Sequence, residues 1–122
     1  HGFLTGAVKD MDALDKEDNR RRYPRFHEGN FEANLALLEP LEEIANARGV
    51  APVQISLAWI LAKGEHIVPI PSTKRRSHLM DIIEAAQIIL GGPEVEMLDQ
   101  MFSAAAIAGE RWPPGVMRRL NG

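Results

Sequence analysis

Residues 66–71, His66-Ile67-Val68-Pro69-Ile70-Pro71, constrain the fold more than any other stretch of this chain. A short apolar run with β-branched residues, set between polar neighbours, is the pattern of one buried parallel strand. Two prolines remove backbone donors from it, so the strand is expected to be short or irregular. The remaining periodic segments read as helices. The chain therefore reads as α/β, mostly helical with one short parallel strand.

Two helices are expected before the strand, across residues 30–63. Asn30 is a good N-cap, and Phe31, Leu35, Leu38, Leu41, Ile44 and Ala45 share one helical face. Gly49 supplies the stop. Pro40 falls inside this pattern and removes a backbone hydrogen bond, which predicts a kink or two shorter helices. Pro52 opens the next helix, 52–63, behind the poor capper Ala51. Its residues are apolar on most sides, so it should be deeply buried. After the strand, residues 72–103 read as a basic turn, a helix over 76–89 and a helix over 94–103. Leu79, Ile82, Ile83, Ala86 and Leu90 form the expected inner face of the first of these. Val95 and Leu98, with Met101 or Phe102, form that of the second. Residues 1–29 start with the tight loop Gly2-Phe3-Leu4-Thr5-Gly6, and 7–29 read as a long polar surface loop. Residues 104–122 form a tail.

Composition removes several function classes. Apolar residues make up 45% of the chain, an ordinary globular share. A net charge of −3 gives no footprint for nucleic acid or an anionic membrane. No apolar run is long enough to span a bilayer, and no signal pattern opens the chain. The absence of cysteine excludes disulfides and thiolate chemistry, and suits a cytoplasmic location.

The chemistry signal follows the strand. Ser72-Thr73-Lys74-Arg75-Arg76 joins a strand end to a helix start, where free backbone N–H groups and the helix dipole favour an anion. Two hydroxyls and three cations add to that. A solvated basic turn explains the same residues without a ligand. The run Arg20-Arg21-Arg22-Tyr23-Pro24-Arg25 reads as a solvated face, and Tyr23, the only tyrosine, as structural. His66 and His78 lack a metal-ligand neighbour at helical spacing. The acidic helix before Gly49 argues against a helix-turn-helix.

Four segments carry a resemblance: Gly2 to Gly6, Pro52 to Gly64, Ile67 to Arg75, and Ala108-Gly109-Glu110-Arg111-Trp112. In this order and spacing they resemble NADPH-dependent aldo-keto reductases of the pyridoxal/quinone-reductase-like branch. The resemblance implies the C-terminal portion of a (β/α)₈ TIM barrel. Residues 1–29 would follow strand seven, 66–71 would be the last strand, and 72–103 would carry the cofactor-phosphate loop. Gly2 and Leu4 would lie beside the cofactor pyrophosphate or ribose. Ser72, Thr73, Lys74 and Arg75 would hold the 2′-phosphate, with His78 near the adenine ribose phosphate and Asp81 facing the adenine. Ile82 departs from the family, which has an asparagine there to hydrogen-bond the adenine. Pro40 and Ala51 depart as well.

The resemblance also implies what the chain can do. The family reduces aldehydes and ketones with a Tyr, Lys, Asp and His carried on earlier strands. The 122 residues match none of these, so the expectation is a cofactor-binding part without its own catalysis, the carbonyl substrate belonging to the parent enzyme. A non-catalytic nucleotide-binding, structural or interaction fragment is the alternative. With the strand edges open, the isolated chain is expected to self-associate.

Overall fold

The computed structural model describes residues 2–120; His1, at the start of the first expected segment, and residues 121–122, at the end of the tail, lie outside the described residues. Among the described residues, six α-helices carry the fold. They are α1 (Asn30–Ala36), α2 (Glu39–Arg48), α3 (Pro52–Leu61), α4 (Arg76–Glu84), α5 (Gly92–Met101) and α6 (Pro114–Met117). Short 3₁₀ turns at Phe3–Thr5, Asn19–Arg22, Pro24–Phe26 and Ala85–Gln87 complete it.

Of the two outcomes expected at Pro40, a kink or two shorter helices, the structure shows the second. Residue 40 has no N–H to give, so α1 closes at Leu37 and α2 opens with Pro40 in its first turn, where a helical N–H has no partner to lose. Gly49 ends α2 at φ +65°. The cap of α1 is Gly29 rather than Asn30. The Gly29 N–H donates to Glu32 Oε2 at 2.6 Å. The Asn30 amide instead donates to the Pro24 carbonyl at 2.9 Å.

Helix α3 is the centre of the molecule. Ile55, Leu57 and Ala58 are buried, and the helix meets α2, α4 and both the Phe3–Thr5 and Ala85–Gln87 turns. Around it lies one apolar cluster of Leu38, Leu41, Ile44, Ala45, Ile55, Ala58, Leu90 and Leu98. A second cluster joins Val8, Phe26 and Phe31, and Phe3 and Leu35 pack against both. The ring of Phe3 meets Phe26 and Phe31 edge-on at 5.5 and 5.9 Å. The segment 7–29 is thus folded onto the core rather than lying over it as a plain surface loop. Its apolar residues Val8 and Phe26 are spaced too irregularly to signal burial.

Three expectations need correction. Residues 66–71 form no strand, and no strand occurs among the described residues. Pro69 and Pro71 offer no N–H, and no ladder of backbone hydrogen bonds joins this stretch to another described segment. Val68 and Ile70 are 78% and 94% exposed instead of buried. The helix expected over 76–89 stops at Glu84 and tightens into the 3₁₀ turn. The expected inner face is only partly buried: Leu90 is buried, as is Ala85, whereas Leu79, Ile83 and Ala86 are exposed. Finally, α3 ends at Leu61, two residues early, in a turn over Ala62 and Lys63.

Candidate functional site

The basic turn lies where its sequence placed it, at the start of α4. Arg75, in extended conformation, caps the helix through its backbone alone. The first helical hydrogen bond runs from the Leu79 N–H to the Arg75 carbonyl. The amides of Arg76, Ser77 and His78 therefore precede any partner within the helix. Upstream, Thr73 folds the turn on itself: its Oγ1 accepts the Arg75 N–H at 3.1 Å. Ser72, Lys74, Arg75, Arg76, Ser77 and His78 are exposed, and Thr73 is half-buried. No carboxylate stands among residues 72–78. Asp81 is half-buried one turn beyond His78 on the same helix face, and Ile82 is half-buried beside it. The set is cationic, rich in N–H and O–H donors and open to solvent, a donor chemistry that fits a phosphate dianion.

Gly2 and Leu4 lie elsewhere. They line a separate cleft of about 680 Å³ to which none of residues 72–81 contributes. Its walls include Phe3, Tyr23, Trp59, Phe102 and Trp112, together with Arg25 and Arg111. The structure sets Ser72, Thr73, Lys74, Arg75, His78 and Asp81 along one turn and the helix it opens, and leaves Gly2 and Leu4 in a separate cleft.

The C-terminal tail builds one wall of the cleft. The carboxamide of Asn34, 4% exposed, donates to the Ala108 carbonyl at 2.8 Å and accepts the Ala108 N–H at 2.8 Å. The Arg25 Nε donates to the Gly109 carbonyl at 3.3 Å. Tyr23 meets Trp112 edge-on at 5.2 Å. Burial lowers the Arg25 pKa, and the positive charge of Arg111 adds to that, while Glu110 opposes it. Arg25 is thus half-buried at the cleft, not part of the solvated basic face that its sequence neighbours suggest, and Asn34 has a role that the sequence reading does not assign. The signal for Asn34 was a polar residue on an otherwise apolar helix face.

Comparisons with known proteins agree with the resemblance. The profile of the Aldo/keto reductase family matches residues 1–102. Among curated proteins, the chain is 42% identical over 119 residues to "Aldo-keto reductase yakc [NADP(+)]" of Schizosaccharomyces pombe. That match covers 98% of this chain and 35% of the relative. It is 36% identical over 110 residues to "Aldo-keto reductase str7" of Strobilurus tenacellus, covering 90% of this chain and 33% of that protein. The chain thus spans about a third of the length of these relatives. No solved structure matches it.

Proposed function

Because the chain belongs to the aldo/keto reductase family, whose fold is a (β/α)₈ barrel, we propose that it is the part of an NADPH-dependent carbonyl reductase that holds the cofactor's phosphate end. The observation that carries this is the basic turn at the start of α4. Lys74 and Arg75 would neutralise the 2′-phosphate, Ser72 and Thr73 would donate hydroxyl hydrogen bonds, and the Arg76 and Ser77 amides would complete the cradle. His78 and Asp81 follow on the helix, beside the ribose and adenine. Gly2 and Leu4, on the cleft side, would meet the pyrophosphate or ribose. The name of the fission-yeast relative, which carries NADP(+), supports the same cofactor. When bound, the cofactor supplies a hydride for reduction of an aldehyde or ketone.

The 122 residues would orient the cofactor by holding its phosphate end. A proton donor is a separate requirement. Tyr23, the only tyrosine, packs against Trp112 as a wall of the cleft. The chain alone is therefore a nucleotide-binding part without carbonyl turnover. Amide NMR shifts on adding adenosine 2′,5′-bisphosphate test the binding. They should concentrate at residues 72–78, and shifts spread evenly over the chain or absent from that turn would refute the reading. Turnover of 4-nitrobenzaldehyde with NADPH, lost in Tyr23→Phe, would overturn the non-catalytic half.

A further inference from the structure

We propose that Ser77 is a phosphorylation site that shuts the basic turn: once modified, the turn holds its own phosphate and turns away that of the cofactor. The inference rests on the cofactor reading of residues 72–78 and names its regulation. The chain has six Ser and Thr residues, Thr5, Ser56, Ser72, Thr73, Ser77 and Ser103. Of these, Ser77 alone has a cation among the three residues before it, and there all three are cations, Lys74, Arg75 and Arg76. An acidic substrate groove of a base-directed protein kinase is complementary to that run. Ser77 is exposed, and residues 67–75 before it form neither helix nor strand, so the segment is open to such a groove. Ser56, by contrast, is buried, and the Thr73 hydroxyl is engaged by the Arg75 N–H. The structure also gives the phosphate a place to lie. Ser77 is the second residue of α4, where the first amides have no partner within the helix. A phosphate there adds about −1.5 to −2 charges at pH 7, beside those amides and among three cations. Asp81, four residues on, is the nearest carboxylate along the helix, and its single charge opposes this. A second dianion, the 2′-phosphate, then meets cancelled charge and occupied donors.

In the step itself the Ser77 Oγ bonds to the γ-phosphorus of ATP, the bridging P–O bond to ADP breaks, and the hydroxyl proton passes to the kinase's carboxylate base. Incubation of the 122-residue chain with Mg-ATP and the catalytic subunit of cyclic-AMP-dependent protein kinase tests the proposal. Fragment mass spectrometry should find one phosphate, on Ser77, and none in Ser77→Ala. Phosphorus NMR of the product should give the phosphoserine a lower second pKa in the folded chain than in urea, because the turn favours the dianion. Fluorescence titration should show NADPH affinity lowered at least about ten-fold by the modification, with NADH affinity unchanged. Phosphate on another residue or on none, a phosphorus titration identical in the folded and unfolded chain, or unchanged NADPH affinity overturns the proposal. Absence of NADPH binding before phosphorylation is failure of the cofactor reading instead, and the phosphorus titration then still decides whether the turn takes the phosphate.

Discussion

Asn34 and Ala108, 74 residues apart, exchange two hydrogen bonds of 2.8 Å each, the side-chain amide of one pairing with the backbone of the other as a second peptide would. The pair fastens the tail to α1 and holds Arg111 and Trp112 at the cleft. A third bond, from Asn34 Nδ2 to the Arg25 carbonyl at 3.3 Å, ties in the loop before the helix. Asn34→Ala removes all three and leaves partly buried backbone groups unsatisfied, at a cost of about 2–3 kcal/mol in urea unfolding. Asn34→Asp keeps the acceptor for Ala108 N–H but sets a buried carboxylate oxygen against the Ala108 and Arg25 carbonyls, and should cost at least as much as Asn34→Ala.

Gly109 and Gly49 separate strain from clash. Both have positive φ, +81° and +65°. A Cβ on Gly49 meets nothing within 4 Å, so Gly49→Ala should cost only the left-handed backbone penalty, about 1 kcal/mol. On Gly109 it would stand 2.7 Å from Asn30 Nδ2 and 2.9 Å from the Pro24 carbonyl oxygen. Gly109→Ala should therefore cost at least about 2 kcal/mol and shift the tryptophan fluorescence, since Trp112 follows it. Equal losses in thermal unfolding would show that the tail is not packed this way.

Acid should destabilise the chain in a defined window. The Arg20 side chain beside Asp18 holds its carboxyl down to about 2, and the Arg48 guanidinium lowers Glu94, which also accepts the Gly91 N–H. Groups with depressed folded-state pKa values stabilise fully above their unfolded values, near 4, and that contribution disappears as pH falls through the folded ones. Stability should be flat from pH 7 to about 5 and decline between about 4 and 2. Glu94→Gln should flatten part of that decline, and an unchanged pH profile would contradict its pairing with Arg48.

The segment around Val68 and Ile70 should drive self-association. The residue before each proline is confined to extended conformations, so both are set as strand residues. Their N–H and C=O groups have no partner among the described residues, while Val68 and Ile70 are exposed. An open apolar edge invites pairing with a second copy. Light scattering at micromolar concentration should show a dimer or larger species, and Ile70→Lys should return it to monomer. A monomer that persists in the unsubstituted chain contradicts this.

Much of the fold was legible where one rule decided it. Pro40 marked the division of α1 from α2, Gly49 its end, Pro52 the start of α3, and Ser72 to Arg76 the turn into α4. The strand at 66–71 was misread because β-branched composition signals a strand only when a partner exists, and the pattern is silent about partners. The cleft was illegible for a different reason. Its parts lie at residues 2–5, 23–26, 34–37, 53–60 and 102–112, and long-range contacts such as the Asn34 latch and the Arg25–Gly109 bond bring the last to the others. No periodicity marks a buried asparagine as a clasp for a distant backbone.

The central claim is that Lys74 and Arg75 read a 2′-phosphate. Fluorescence titration with NADPH and NADH, on the unsubstituted chain and on Lys74→Ala, tests it most directly. A charge-assisted contact of about 1.5–3 kcal/mol predicts a preference for NADPH of roughly 10- to 100-fold, narrowed in Lys74→Ala with NADH affinity unchanged. Superimposable NADPH and NADH curves in the unsubstituted chain would contradict it.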